Sequence, residues 1–363
     1  MDNISYNRLF PGFAIFLLIV LLFTVILAKR HNSTTYFENW AEGWREVSSF
    51  NIPRRAPAAV ISGDFIYILG GVDENGNYVK SVEYSHIKPN GNLSAWKKTS
   101  DIVEGRFYLG AASDGKSLYA LGGGGGPIGD DNIPLASVER ASIHPDGSLG
   151  EWQQHSYLTT PRRGLKIEHY NDQIYAIGGY NGQFLRSTER LELTSLPHWI
   201  LDENEAQVDR YIHATALIDN HLYLLGGHVE KAGPMSYGDI EMTNIRKNGS
   251  LEPWKISPSR LNNARFIATG YSLGKYLYVA GGHNGIQRLD SVEMASTDQN
   301  GNVSQWELLT PMIFKRSAAA SAVYGERVYI LGGMGDQGVL NTVETAILGP
   351  GGKLGHLINH PDS

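Results

Sequence analysis

Short apolar runs that end in a pair of glycines recur along the whole chain. The run Val328–Leu331 before Gly332 is one example, and its β-branched, aromatic and aliphatic residues are typical of a strand buried on both faces. The six pairs are Gly70-Gly71, Gly122-Gly123, Gly178-Gly179, Gly226-Gly227, Gly281-Gly282 and Gly332-Gly333. Successive pairs are 52, 56, 48, 55 and 51 residues apart. This spacing predicts six copies of one structural unit.

Three other residue types keep a constant order around each glycine pair. An arginine lies 16 residues before every first glycine, a tryptophan lies 26 or 27 residues before it, and a glutamate follows after a variable gap. The arginines are Arg54, Arg106, Arg162, Arg210, Arg265 and Arg316; the tryptophans are Trp44, Trp96, Trp152, Trp199, Trp254 and Trp306; the glutamates are Glu83, Glu139, Glu189, Glu241, Glu293 and Glu344. Pairs such as Asn90-Gly91 favour tight hairpins before the tryptophan segment. Each unit therefore predicts four antiparallel strands, and the six units predict an all-β, six-bladed propeller over residues 43–348.

This order of residues resembles the kelch repeat, which has an arginine, a strand ending in Tyr-x-x-Gly-Gly, a third strand and then a tryptophan. The resemblance covers about residues 43–348 and implies a kelch-type β-propeller of radially arranged four-stranded blades. It implies no single activity, because kelch propellers include binding modules and a few enzymes. Residues that recur in every blade are expected to serve the blade itself. We expect the arginines to bond backbone carbonyls or the glutamate, and the tryptophans to fill the core between blades.

The two ends of the chain offer two ways to close the ring. Trp44 precedes the first unit, and the last unit has no tryptophan after its glutamate. We expect the Trp44 strand to complete the sixth blade, which would leave no open sheet edge at the seam. The alternative is a C-terminal strand around Leu357-Ile358. Residues 349–363 are otherwise expected to form a C-terminal tail.

Residues 9–28 form an uncharged, mostly aliphatic and aromatic segment near the N-terminus. These 20 residues would rise about 30 Å as a helix, which predicts a transmembrane anchor. A cleaved signal peptide is the alternative, but Lys29-Arg30 follows directly and no small-x-small cleavage site is present. The expected layout is therefore a short tail at 1–8, an anchor at 9–28, a juxtamembrane linker at 29–42 and then the propeller. This layout predicts a single-pass membrane protein that contacts the membrane through the N-terminal helix, with the propeller placed outside the cytoplasm.

Composition narrows the classes of function. The chain has 42 Gly, 19 Tyr and 7 Trp, as expected for short strands and tight turns. A net charge of −6 disfavours nucleic acid as a partner, because phosphate binding requires a basic face. Cysteine is absent, which excludes disulfides, thiolate metal sites and cysteine nucleophiles. We expect no metal and no cofactor.

Departures from the repeat are the best sequence evidence for a functional surface. The loops after the second strand are long in blades two and four, and the link from blade three to blade four is acidic. All three segments should lie on one face, and insertions on one face often mark the binding face of a repeat protein. The candidate binding-face residues are Asp130, Asp131, Asn132, Asp202, Glu203, Glu205, His228, Glu230, Tyr237 and His283.

Two functions remain open on this sequence. The first is a membrane-tethered scaffold that binds a protein or a glycan through one propeller face. The alternative, by analogy with kelch enzymes, is a sugar-processing enzyme such as a mutarotase or epimerase. His228 and Glu230 are the only candidate acid and base for such an enzyme. Kelch-type copper oxidases are excluded because they use a cysteine-crosslinked tyrosine.

Overall fold

The architecture is a ring of β-sheets in a computed structural model that describes residues 40–127, 132–193, 197–228 and 236–358. Two short strands, β1 (Trp40–Glu42) and β2 (Arg45–Val47), begin the described chain. Blade one contains β3 (Ala58–Ser62), β4 (Phe65–Leu69), β5 (Val82–His86) and β6 (Lys97–Lys98). Blade two contains β7 (Gly110–Ser113), β8 (Ser117–Leu121), β11 (Ser137–Ser142) and β12 (Gln153–Tyr157), and its long loop adds a small ribbon of β9 (Gly124–Gly125) and β10 (Ile133–Pro134).

Blades three to five repeat the same four-stranded plan. Blade three contains β13 (Lys166–Tyr170), β14 (Gln173–Ile177), β15 (Thr188–Glu192) and β16 (Trp199–Leu201). Blade four contains β17 (Ala214–Ile218), β18 (His221–His228), β19 (Ser236–Asn244) and β20 (Lys255–Arg260). Blade five contains β21 (Thr269–Leu273), β22 (Tyr276–Ala280), β23 (Val292–Ser296) and β24 (Glu307–Leu309).

Blade six is assembled from both ends of the chain. It contains β25 (Ala320–Tyr324), β26 (Arg327–Leu331) and β29 (Val343–Leu348), with a small ribbon of β27 (Met334–Gly335) and β28 (Gly338–Val339), a single 3-10 turn at Pro350–Gly352 and β30 (Leu354–Leu357). Strand β2 pairs with residues 343–345 of β29, and β30 pairs with residues 347–348 of the same strand. Strand β1 then pairs with β30. The expected N-terminal strand and its C-terminal alternative therefore share the outer edge of this blade.

The innermost strands contact one another in a closed order, β3, β7, β13, β17, β21, β25 and back to β3. They surround a central channel, and every blade is antiparallel from its inner to its outer strand. Two faces follow from this alternation. The loop face carries the loops between second and third strands and the links between blades. The turn face carries the turns between first and second and between third and fourth strands. The all-β, six-bladed architecture predicted from the repeat is confirmed.

The glycine pairs allow neighbouring blades to approach one another closely. Gly70 and Gly71 have φ values of +65° and +97°, which a side chain rarely permits. A Cβ atom on Gly70 would also lie 2.6 Å from the backbone oxygen of Arg106 in blade two. The N–H of Gly71 donates to that same oxygen at 2.8 Å. A substitution here would therefore disturb both the blade and its contact with the next blade.

A belt of backbone hydrogen bonds encircles the channel near the loop face. The residue two positions after each repeat arginine has a positive φ: Ala56, Tyr108, Gly164, Ile212, Ile267 and Ala318. Hydrogen bonds join their backbones at five of the six blade junctions, for example from Tyr108 N to Ala56 O at 2.9 Å and from Ile267 N to Ile212 O at 2.9 Å. Among the described residues, no such bond joins Ile212 to Gly164. A β-branched residue at positive φ is unfavourable, so these contacts must compensate for the strain at Ile212 and Ile267. The belt narrows the channel at its loop-face end.

The expectation of a transmembrane helix is corrected by the structure. Among residues 40–127, 132–193, 197–228 and 236–358, no helix is long and apolar enough to cross a membrane. The segment on which that expectation depended, residues 9–28, lies outside the described residues. We therefore withdraw the transmembrane helix from the fold class and the single-pass membrane location with it. The fold class becomes an all-β propeller.

Candidate functional site

A rim of aromatic rings surrounds the channel mouth on the loop face. In each blade, the residue after the repeat arginine forms a backbone bridge with the residue after the glycine pair. The bridged pairs are Arg55 with Val72, Phe107 with Gly124, Arg163 with Tyr180, Tyr211 with His228, Phe266 with His283 and Ser317 with Met334. Both partners of each pair lie next to the belt, at the loop-face end of the channel. We call this set, together with Tyr78, Tyr108 and Phe184, the loop-face rim.

The rim forms a continuous series of ring contacts from blade one to blade five. Consecutive ring centroids are 4.9 Å apart for Tyr78 and Phe107, 5.3 Å for Phe107 and Tyr108, and 6.5 Å for Tyr108 and Tyr211. The series continues through Phe184 and His228 to His283 at spacings of 5.3–6.0 Å. All of these side chains are half-buried. They are therefore held in place by one another while part of each ring faces solvent.

Blade three gives the rim a cation. The Arg163 guanidinium lies 4.9 Å from the centroid of the Tyr180 ring and 5.9 Å from that of Tyr211, within range of a cation–π interaction. The same side chain donates a hydrogen bond to Oδ1 of Asn132 in the long blade-two loop. Gly164 leaves room for the Tyr211 ring, because a Cβ at that position would collide with it. Gly164 thus allows the rim residues of blades three and four to contact one another.

The structure brings together some of the residues proposed from the sequence. The rings of His228 and His283 lie on either side of Phe266, at centroid distances of 5.3 and 5.4 Å. Burial, assisted by nearby Arg288, lowers the pKa of His283. Tyr237 lies 5.8 Å from the Arg210 guanidinium at the base of the blade-four loop. Three other candidates, Asp130, Asp131 and Glu230, lie outside the described residues, and so does one half of the acid–base pair proposed for a sugar enzyme.

The acidic link between blades three and four does not act as one surface. Asp202 is turned inward, with only 6% of its surface exposed, and it pairs with Arg190 at 2.9 Å. It also accepts a hydrogen bond from the backbone N–H of Leu251 at 2.9 Å. Glu203 and Glu205 remain exposed, and Glu205 lies 3.6 Å from Arg186. Asp202 therefore joins blades three and four, while the two glutamates stay available at the surface.

A second polar site lies in the channel, below the belt. The channel widens there into a cavity of about 470 Å³, lined by the first strands of all six blades. At the positions four and six residues after the repeat arginine, the other five blades carry no charged residue: they are Ala58 and Val60, Gly110 and Ala112, Ala214 and Ala216, Thr269 and Tyr271, and Ala320 and Ala322. Blade three instead carries Lys166 and Glu168 there. We call these two residues the channel pair.

The channel pair faces blade four. Strand alternation places Lys166 and Glu168 on the same side of β13, while Ile167 packs on the other side against Gly110 of blade two. Thr215 of β17 lies close enough to Glu168 to oppose a rise in its pKa. Burial raises the pKa of Glu168 to about 7, although Thr215 and Lys166 oppose this rise. Burial likewise lowers the pKa of Lys166 to about 8, with Glu168 opposing the change.

His213 completes this polar cluster at the head of β17. It is 1% exposed, and neither ring nitrogen has a hydrogen-bond partner among the described residues. Burial, with the nearby positive charges of Arg210 and Lys166, holds its pKa well below the usual value, so the ring is neutral. The equivalent position in the other blades is apolar: Pro57, Leu109, Leu165, Ala268 and Ala319. The sequence analysis missed this cluster because it compared loops; an alignment of the six first strands would have found it.

The channel pair predicts a pH-dependent effect of Glu168→Gln on stability. The folded protein holds the Glu168 proton more tightly than the unfolded chain, so this carboxyl stabilises the fold below pH 4.5, and that contribution is lost as the pH rises toward about 7. Glutamine does not titrate, so the free energy of unfolding of the variant does not decrease in this way. The free energy of unfolding of the variant relative to the parent should therefore rise by about 2 kcal/mol between pH 4.5 and pH 8.

Chemical denaturation across that pH range measures this difference. The titratable group that acts on Glu168 is Lys166 on its own strand, so Lys166 must be kept unchanged in the comparison. Glu307→Gln, on an exposed part of β24, is the surface control. A constant difference between the Glu168 variant and the parent would contradict a carboxyl that holds its proton more tightly in the folded protein.

Comparison with known proteins agrees with this architecture. A family model described as "Kelch motif" matches residues 161–195, which span the repeat arginine, glycine pair and glutamate of blade three. Kelch-like protein 15 from Homo sapiens is 27% identical over 223 residues, which cover 58% of this chain and 36% of that protein. Beta-scruin from Limulus polyphemus is 26% identical over 272 residues, covering 71% of this chain and 28% of that protein. The chain thus spans about a third of the length of these curated relatives.

A solved structure shares the fold at lower sequence similarity. The structure of YjhT superposes with a TM-score of 0.65 at 14% identity, covering 85% of this chain and 98% of that one. The six four-stranded blades with their central channel define a β-propeller. The repeated arginines, glycine pairs and glutamates, with the matches above, support a kelch-repeat β-propeller.

Proposed function

We propose that this propeller is a protein-binding scaffold and that its partner binds the loop face. The observation that carries the proposal is the loop-face rim, which presents half-buried aromatic rings and Arg163 without a break over five blades. Tyrosine, tryptophan and arginine dominate the energetic centres of protein interfaces, and aromatic residues in general are enriched there. Side chains that are already packed together also lose little entropy on binding.

The surroundings of the rim support the same proposal. Ile286, at the tip of the blade-five loop, is 89% exposed, an unusual position for a large aliphatic side chain. The long loops of blades two and four begin at the rim, through Gly124 and His228. The exposed Glu203 and Glu205 add negative charge on the same face. A partner with an apolar centre and a basic edge would match this arrangement.

Loop-face variants should weaken the partner complex by at least about tenfold in Kd, which corresponds to 1.4 kcal/mol. The variants are Phe266→Ala, which removes the ring between His228 and His283, and Ile286→Ser, which removes the exposed side chain. The partner is captured with the full chain, produced pure and titrated against each variant by calorimetry. Thermal unfolding of each variant confirms that the propeller is intact.

Two controls make this test specific to the loop face. Leu308→Ser changes an exposed leucine, 58% accessible, on the outer strand of blade five and should leave Kd unchanged. Lys88→Glu recharges the turn face and should also leave it unchanged. Loss of binding in the turn-face control alone, or binding to a glycan array without any protein partner, would overturn the proposal. Shortening segments 124–132 and 228–237 to the length of the blade-three loop then tests whether the long loops contribute.

A further inference from the structure

The channel pair combines three features that a structural role does not require. It replaces uncharged residues that fill the same positions in five other blades. It lines a cavity of about 470 Å³ whose other walls are mostly small or aliphatic side chains, among them Ala59, Ile61 and Leu217. No carboxylate among the described residues lies within ion-pair distance of the Lys166 ammonium group, although Glu168 is only two residues away. A charged amine without a close counter-charge is costly to hold in a partly enclosed cavity.

We propose that Lys166 is a nucleophilic amine that captures a small aldehyde or ketone in the channel as a covalent imine, with Glu168 relaying the protons. This site is independent of the loop-face rim, so each proposal can fail without the other. A short aliphatic carbonyl compound suits these mixed walls, since its alkyl part gains by leaving water against the aliphatic side chains. The belt narrows the channel to a neck of about 30 Å³ toward the loop face. The ligand therefore enters from the turn face.

The proton balance of imine formation requires a group in the position of Glu168. The lone pair of the uncharged Lys166 amine forms a bond to the carbonyl carbon, and the carbonyl π electrons move to oxygen. That oxygen takes a proton from the Glu168 carboxylic acid, and the resulting carboxylate removes one from the new ammonium nitrogen. A second relay of the same kind leaves a C=N bond and releases the oxygen as water. Both amine protons thus leave in the water molecule, and Glu168 ends as it began.

The protonation states of the pair fit this cycle near neutral pH. With its pKa lowered to about 8, Lys166 has about 300 times more uncharged amine at pH 7 than a lysine with the ordinary value of 10.5. Lysines whose pKa is lowered by desolvation serve as Schiff-base nucleophiles in enzymes. With its pKa near 7, Glu168 is available as both acid and base at that pH. The neutral His213 next to the amine adds no competing charge.

The proposal is tested by trapping the imine on the full chain. The protein is treated briefly with butanal and sodium cyanoborohydride at pH 7, where the reductant transfers hydride to the C=N carbon and fixes a butyl group on the nitrogen. Peptide mass mapping then gives the rate for each lysine. Lys166 should be modified at least about tenfold faster than the exposed Lys98 and Lys275, since part of the 300-fold advantage is offset by the lower basicity of its amine. Equal rates for the three lysines would overturn the proposal.

Glu168→Gln separates a proton relay from a simple electrostatic effect. Removing the carboxylate also removes the negative charge that holds the Lys166 pKa up, so more of the amine becomes uncharged. If Glu168 only tunes the charge of Lys166, the variant should be labelled faster than the parent. If Glu168 relays protons, labelling at Lys166 should fall about tenfold while Lys98 is unaffected. Faster labelling of the variant would reject the relay, and the Lys166→Met variant confirms the assignment of the modified site.

Discussion

Arg54→Met is expected to destabilise the propeller by about 3–5 kcal/mol, because it leaves a buried carboxylate without its counter-charge. Arg54 and Glu83 are 0% and 1% exposed, and the guanidinium donates to Glu83 Oε1 at 2.8 Å. It also donates to the backbone oxygens of Ser81 at 2.8 Å and Ile52 at 3.1 Å. Burial lowers the Arg54 pKa to about 10, so the group is still charged at pH 7. Urea denaturation at pH 7 measures the loss.

The double variant Arg54→Met/Glu83→Leu should not recover this stability. Some buried ion pairs can be replaced by apolar residues without loss of stability, because the two side chains form hydrogen bonds only with each other. Here Glu83 also accepts the backbone N–H groups of Asn51 at 2.7 Å and Ile52 at 3.1 Å. Removing both side chains would leave these N–H groups without their acceptor. The backbone carbonyls of Ser81 and Ile52 would likewise lose the hydrogen bonds that Arg54 donates. Full recovery in the double variant would show that the pair contributes no more than its own charges.

An exposed pair gives the matched control for this comparison. Lys98 and Asp101 lie 3.2 Å apart in the same blade, with side chains 60% and 43% exposed. Water screens such pairs, so Lys98→Met should change the free energy of unfolding by less than about 0.5 kcal/mol. The contrast between the two variants would assign the effect to burial and hydrogen bonding rather than to charge alone. It would also explain why the arginine and glutamate recur in all six blades.

The repeated blades could be predicted because each blade packs the same residue types at the same positions. A strand such as Ile66–Leu69 is fully buried, and its aliphatic and aromatic residues report this directly. The Tyr67 hydroxyl reaches the backbone oxygen of Gly147 in the next blade at 2.8 Å, a contact repeated by Tyr175 with Gly249 and by Tyr329 with Gly91. Contacts of this kind recur at the repeat spacing. Six aligned copies therefore supply the evidence that a single copy lacks.

The parts that the sequence analysis did not predict depend on contacts between different repeats. The rim needs Tyr211 to lie over Gly164 and beside Tyr108, which no single unit specifies. The channel pair needs β13 to lie beside β17, so that Glu168 meets Thr215. Asp202 was expected at a binding surface, but it pairs with Arg190 of its own blade and accepts the N–H of Leu251 in blade four. The acidic residues around Asp202 in the sequence did not reveal that its side chain is turned inward.

The Trp44 strand was expected to complete the sixth blade, but the C-terminal strand contributes as well, and the physical reason is the length of β29. This strand runs from Val343 to Leu348, and β2 pairs with only its first half. The second half would be an open edge without β30. Strand β1 then covers the outer side of β30. Both chain ends are thus needed to cover one blade, a solution that neither end indicates alone.

Trp44→Ala should therefore destabilise the propeller by about 3–5 kcal/mol, the usual cost of removing a large buried aromatic side chain. Trp44 is 7% exposed and packs in one cluster with Met294 of blade five and Leu354 of β30. Its loss would open a cavity at the junction of blades five and six. Thermal unfolding monitored by circular dichroism measures the change, with the tryptophan fluorescence of the remaining residues as a second probe.

Truncation after Gly349 should cost as much as Trp44→Ala, since it removes β30 and exposes the edge of β29. The truncation deletes Leu354, which is 1% exposed, and it also removes the Gly352 oxygen that accepts a hydrogen bond from Tyr278 at 2.7 Å. Truncation after Ile358 leaves β30 intact and is the matched control, which should unfold like the parent. An unchanged midpoint after truncation at Gly349 would mean that the N-terminal strands close the ring alone. A loss in both the Trp44 variant and the Gly349 truncation, but not in the control, is the result expected of a blade closed by both chain ends.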